Sequence, residues 1–160
     1  MKKQLSLSFV KDELASVKTG KKAFLEKIDC LVPWDQWVSL IQPYYYKGER
    51  GNKPFDLELM LRIYILQNLY NLSDMGAQQE IIDARSFSAF CRVESSNQIP
   101  NGDTIGRFRN LLIRHKLQEK IFALLEQTLR EEGLLLQKGT IVDSTLIAAP
   151  SSTRNREKKR

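Results

Sequence analysis

Two cysteines and one histidine are all that the 160 residues offer in soft metal-ligating chemistry. Cys30 and Cys91 are isolated, with no CxxC spacing, and His115 has no second histidine to work with. This argues against a zinc site and against a disulfide framework. Two lone cysteines fit a reducing compartment, and a cytoplasmic location is the expectation. Long apolar runs are missing as well. The opening "MKKQLSLSFVKDE" has only a short apolar patch before charge returns at Lys11, Asp12 and Glu13. That is too short for a signal peptide, and nothing later is long enough to span a membrane. No glycine-rich phosphate loop and no internal repeat is present.

What the chain does have is enough apolar residue to bury a core, at 42% hydrophobic and 28% charged, and one domain is the default for its length. The net charge of +6 points to a polyanionic partner. Its distribution qualifies that reading. The last ten residues, "SSTRNREKKR", carry +4, which leaves only +2 for residues 1–150. Non-specific nucleic-acid affinity expected from charge alone therefore rests on the tail.

Along the chain the pattern is helical. Residues 1–20 read as a flexible leader. "KKAFLEKIDCLVPWDQWVSLIQPYYY" reads as two short helices split near Pro33 and stopped at Pro43. "YYYKGERGNKPFD" is a loop rich in turn residues, and Asp56 is placed to cap the next helix. "LELMLRIYILQNLY" is apolar nearly all round, as a helix at the centre of a bundle would be, with Glu58 and Arg62 on a narrow polar stripe. The chain turns at Asn71 and restarts at Ser73 or Asp74, giving a helix to about Ala84 and another around Ser86–Arg92. Asp103 can cap "TIGRFRNLLIRHK", and "LQEKIFALLEQTLREEG" follows as an amphipathic helix closed by Gly133. Then the period changes to two. In "GTIVDSTLIAAP", Ile141, Asp143, Thr145 and Ile147 fall on one face of a strand, the only one in the chain.

Three constellations carry candidate chemistry. Asp143 lies within a run of residues that favours burial. It reads either as a carboxylate holding Mg²⁺ for phosphoryl transfer or as a solvated position on an edge strand or strand-end turn. Arg107, Arg109, Arg114, His115 and Lys116 fall within ten residues of one another, and a helix would place Arg107 and Arg114 on a similar face. They read either as phosphate contacts to DNA or as an ordinary solvated face. "LYNLSDMGAQQEIIDARSF" has the outline of a helix-turn-helix, with Gln78 and Gln79 facing bases, or of a plain αα-hairpin, which the acids Asp74, Glu80 and Asp83 favour. The aromatics Trp34, Trp37, Tyr44, Tyr45 and Tyr46 divide between base stacking and core packing.

Taken together, "DCLVPWDQWVSLIQPYY", "LELMLRIYILQNLYNLSD", "IPNGDTIGRFRNLLIRHKL" and "GTIVDSTLIAAPSSTRNREKKR" resemble, in order and spacing, the bacterial insertion-sequence transposases of the insertion-sequence-five group. The resemblance covers roughly residues 20–160. It implies a mainly α fold: a bundle-like N-terminal domain over 21–133, then over 134–150 the first strand of an incomplete ribonuclease-H-like domain, and a basic disordered tail over 151–160. It implies that Asp143 is the first carboxylate of a DDE triad, catalytic and Mg²⁺-binding. It also implies that the helical part grips transposon-end DNA, and Arg107, Arg109, Arg114 and Lys116 of the basic cluster are the residues expected to contact it. In the family the remaining aspartate and glutamate lie well downstream, and only 17 residues follow Asp143 here. The expectation is thus a fragment that binds DNA ends, holds no Mg²⁺ by itself and is inactive alone. The alternatives are a helical module that pairs with and inhibits full-length transposase through 57–70 and 117–132, and a product with no function, whose unpaired strand invites aggregation.

Overall fold

A computed structural model describes residues 16–49 and 51–135. Seven α-helices lie wholly within them: α1 Gly20–Leu31, α2 Trp34–Ile41, α3 Leu57–Tyr70, α4 Asp74–Asp83, α5 Arg85–Cys91, α6 Gly102–Arg114 and α7 Leu117–Glu131. Short 3₁₀ turns occupy Gln42–Tyr44 and Ser96–Gln98. Among the described residues there is no β-strand. The strand expected around Asp143, the basic tail and most of the leader lie outside them.

Most helix boundaries follow from local chemistry. The Thr19 hydroxyl accepts from the Lys22 amide at 3.2 Å, the Asp56 carboxylate from Leu59 at 3.0 Å, and the Ser73 hydroxyl from Gly76 at 2.9 Å. Each satisfies an orphan N–H of a first helical turn, an arrangement worth about 1 kcal/mol. At α6 the expected cap is corrected. Asn101, not Asp103, accepts from Thr104 at 2.9 Å, and Asp103 falls in the first turn, where its charge favours the helix dipole. Asn71 (φ 52°) and Arg92 (φ 56°) end α3 and α5 in the left-handed region. Gly133 (φ 69°) ends α7 in a Schellman turn, its amide bonding to the Arg130 carbonyl and that of Leu134 to Leu129.

Helix α3 is the axis of the fold, with every residue from Met60 to Gln67 buried. Around it pack Leu25 of α1, Trp37 and Ile41 of α2, Ile81 of α4, Phe87 and Phe90 of α5, Phe108 and Leu112 of α6, and Ile121 of α7. Helix α6 approaches α4 closely because "GDTIG" leaves a groove on one face. A Cβ on Gly102 would sit 2.5 Å from the Met75 sulfur, and one on Gly106 would sit 2.9 Å from a carboxylate oxygen of Asp74. Two glycines four residues apart thus set the seat of the helix that carries the arginine cluster.

The polar stripe foreseen on α3 is not a surface feature. Arg62 is 1% exposed. Its guanidinium donates to the Phe90 carbonyl at 2.9 Å, to Glu58 Oε1 at 2.9 and 2.7 Å, and to Asp29 Oδ1 at 2.6 Å. The Trp34 ring lies 4.2 Å from its central carbon, and the Trp34 indole donates to the Asp29 carbonyl at 3.0 Å. Arg92, on the surface, closes the group by pairing with both carboxylates at 3.2 and 3.4 Å. Two cations and two anions therefore balance, and α1, α2, α3 and α5 are tied at one point. Burial alone would push the Asp29 carboxyl up, but the hydrogen bond and charge of Arg62, with Arg92, outweigh it and hold the group below its ordinary value.

Candidate nucleic-acid interface

The arginine-rich stretch resolves into α6 and the tight turn that joins it to α7. Phe108 and Leu112 point into the core, which turns Arg107 and Arg114 outward. Seven residues apart on a helix, those two share a face and stand about 10 Å apart along it. Lys116 (φ 53°) sits in the left-handed region at the corner and is exposed, as is His115. Among the described residues, Arg107, Arg114 and Lys116 form no ion pair, so their charge faces solvent.

Arg109 has a different setting. Its Nε donates to Asp74 Oδ1 at 3.1 Å and its Nη2 to Asp74 Oδ2 at 2.8 Å, a two-pronged pair joining α6 to the start of α4. Gln67 of α3 donates to the same carboxylate at 2.8 Å. The hydrogen bond from Arg109 is the main cause that holds the Asp74 carboxyl below its usual value, against the opposing effect of burial. The reciprocal bond raises Arg109 further above its already high value. Sequence spacing alone groups Arg109 with the other cations; its partner lies 35 residues away and gives no local signal.

The tyrosine-rich loop borders this corner. The Tyr44 and His115 rings meet at 4.5 Å between centres, so the 3₁₀ turn after α2 rests against the α6–α7 turn. Tyr45 anchors the loop. Its hydroxyl donates to the Phe55 carbonyl at 2.8 Å and its ring meets Phe108 edge-on at 5.9 Å. Burial, with the nearby Asp56 charge, pushes its pKa up to about 12, so it remains a neutral donor. Gly48 (φ 76°) allows the return, for a Cβ there would lie 2.8 Å from Pro54. Tyr44 and Tyr46 stay exposed, whereas Trp37 is in the core and Trp34 lies on Arg62.

The two remaining candidates part ways. The α3–α4 pair has the outline of a helix-turn-helix, but the Gln78 side-chain oxygen accepts from the Gly102 amide at 2.9 Å and so holds the start of α6. With Asp74 also committed inward, the segment is an αα-hairpin of the bundle, and only Gln79 of the two glutamines is exposed. Asp143 lies outside the described residues. Among those described, no three His, Cys, Asp or Glu side chains converge as metal ligands, and no helix is long and apolar enough to cross a membrane.

What the corner can do chemically is bind anions: outward cations on one helix face, one more cation at its end, and an exposed ring beside them. No solved structure matches the chain. A family described as "Transposase domain (DUF772)" matches residues 12–111, from the leader through all but the last turn of α6. With well over half of its length matched, the chain belongs to the transposase domain (DUF772) family.

Proposed function

We propose that the helical body is the DNA-end-binding part of a transposase of the insertion-sequence-five group, and that Asp143 is the first carboxylate of its DDE centre. The observation that carries the DNA-binding half is the solvent-facing set Arg107, Arg114 and Lys116 on a chain of transposase family. Cations on one helical face neutralise successive phosphates and release counterions, which gives affinity without base reading. Arg109 enters this reading as a positioning residue that locks α6 onto α4, not as a principal phosphate contact. The Tyr44–His115 pair flanks the cations and offers a planar surface to an exposed base or sugar.

The catalytic half rests on the "VDSTLIAAP" block and its resemblance alone. In a complete DDE centre Asp143 would be one of the carboxylates that hold Mg²⁺, and the metal would supply Lewis-acid activation for cutting the transposon end and for strand transfer. This reading assigns end binding to the helical body and leaves cutting to a complete set of DDE carboxylates, of which Asp143 is one. Two assays separate the halves. Gel-shift titration at fixed salt is expected to favour end DNA over a scrambled duplex of equal length, and equal affinity for both would contradict end recognition. Incubation with Mg²⁺ is expected to leave the DNA intact. Nicking that disappears in Asp143→Ala would show a complete centre and overturn the inactive reading.

A further inference from the structure

Where the starts of α4 and α7 meet the second half of α3, the fold leaves a polar cleft of about 300 Å³. That is the lower end of the range for small-molecule sites, roughly 300–1,000 Å³. Tyr64 and Gln67 of α3, Asp74 of α4, Arg109 of α6 and Gln118 of α7 line it, with Leu72 as an apolar wall. The Arg109–Asp74 pair cancels its own charge, so the cleft calls for no ion. What it offers is uncommitted hydrogen bonding. Gln67 is only 7% exposed. Its amide nitrogen donates to the Asp74 carboxylate, which can only accept, and this turns the amide oxygen the other way. That oxygen receives no hydrogen bond among the described residues. The Trp37 indole nitrogen is the one described side-chain atom both sealed and unpartnered, so the Gln67 oxygen reaches open space, and the cleft is the space that Gln67 lines.

Nearby, the Gln118 amide nitrogen donates to the Tyr64 hydroxyl at 2.7 Å. Among the described residues, the hydroxyl hydrogen and the Gln118 oxygen have no further partner, and neither has Arg109 Nη1. Two amide oxygens thus stand beside two donors, with no net charge to neutralise. Their complement is a neutral planar group that carries N–H donors next to an acceptor. Adenine and cytosine have that pattern, an exocyclic amino group beside a ring acceptor, whereas thymine has no amino group. The cleft also adjoins the cationic corner. Gln118 is two residues from Lys116, and Arg109 is on the helix that carries Arg107 and Arg114. We propose that this cleft receives an amino-bearing nucleobase, adenine or cytosine, from a strand whose phosphates lie on that corner. Only a base that has left its stack can enter such a site. The proposal rests on the DNA-binding reading and adds a base pocket to it.

Single strands of about ten nucleotides test it with the full chain: oligo(dA), oligo(dC), oligo(dT) and an abasic strand with the same phosphates. At fixed salt, oligo(dA) and oligo(dC) are expected to bind about tenfold tighter than the abasic strand, the size of one good base contact, and tighter than oligo(dT). Gln67→Met and Gln118→Met are each expected to bring that ratio near one. Gln127→Met, which alters an exposed amide of α7 outside the cleft, is expected to keep it. Equal binding of all four strands would leave the phosphate contacts standing and overturn the pocket. Free deoxyadenosine gives a readout without substitutions. In proton–nitrogen correlation spectra it is expected to move the side-chain amide signals of Gln67 and Gln118 and not that of Gln127. Such movement with no strand bound would uphold the pocket and sink the end-binding reading. Movement with N-methylacetamide, a peptide-bond mimic, but not with deoxyadenosine would make the occupant a polypeptide and overturn the proposal, as would signals that neither compound moves.

Discussion

Arg62 ties α1, α2, α3 and α5 together at one buried point. Its guanidinium is buried yet meets a carbonyl, two carboxylates and an indole face, so its desolvation is offset only while all of them stay in place. Arg62→Leu keeps much of the volume but leaves Asp29 and Glu58 to the single exposed Arg92. Removing one partner of a buried charge group typically costs about 3–5 kcal/mol. Chemical denaturation should show a loss of that size; a loss under about 1 kcal/mol would place the group with ordinary surface pairs. This group and the Arg109–Asp74 pair both respond to acid. Asp29 and Asp74 both have folded pKa values below the ordinary 3.8. The unfolded chain therefore takes up protons first as pH falls. The contribution of these pairs is fully present above the unfolded value and drains away below about pH 4, toward the folded values. Midpoint denaturant concentration should fall through that window in the natural chain and fall less steeply in Asp74→Asn, which is already weakened at neutral pH. Parallel curves would remove Asp74 from the account.

At the scale of elements, the arrangement depends on α4 and α6 meeting through "GDTIG". A methyl group at Gly106 would displace the carboxylate that Arg109 grips, and one at Gly102 would press on Met75. Gly106→Ala should cost about 1–3 kcal/mol, the usual range for overfilling a packed contact, despite the better helix propensity of alanine. Melting at a higher temperature than the natural chain would show that the close approach is not needed. The helices themselves were legible in the sequence because their signals are local: Asp56, Ser73 and Gly133 announce boundaries within three or four residues of the bonds they make. What joins the helices was not legible. Arg62 finds Asp29 across 33 residues, Gln78 holds the amide of Gly102 across 24, and Arg109 reaches Asp74 across 35. A polar side chain looks the same in a sequence whether it will face water or close such a link. For that reason the i,i+4 pair on α3 reads as a surface stripe, and Arg109 reads as one more cation.

For the whole molecule, the proposed division between a DNA-binding helical body and a catalytic carboxylate at Asp143 has two kinds of support. The body stands on its geometry and on the transposase family of the chain. The carboxylate stands on a sequence block outside the described residues. The arginine cluster was legible as a cluster, and the structure sorts it by partner: Arg107, Arg114 and Lys116 outward, Arg109 onto Asp74. That sorting is what a binding experiment can read. The most direct measurement is the salt dependence of affinity for end DNA, compared among the natural chain, the triple variant Arg107→Ala/Arg114→Ala/Lys116→Ala, and Arg109→Ala. Each phosphate contact adds about one to the slope of log affinity against log salt. The triple variant should lose close to three in slope while melting as the natural chain does, and Arg109→Ala should melt earlier with its slope little changed. A triple variant that keeps the full slope, or an Arg109→Ala that loses slope without losing stability, would contradict the assignment of this corner as the DNA-facing surface.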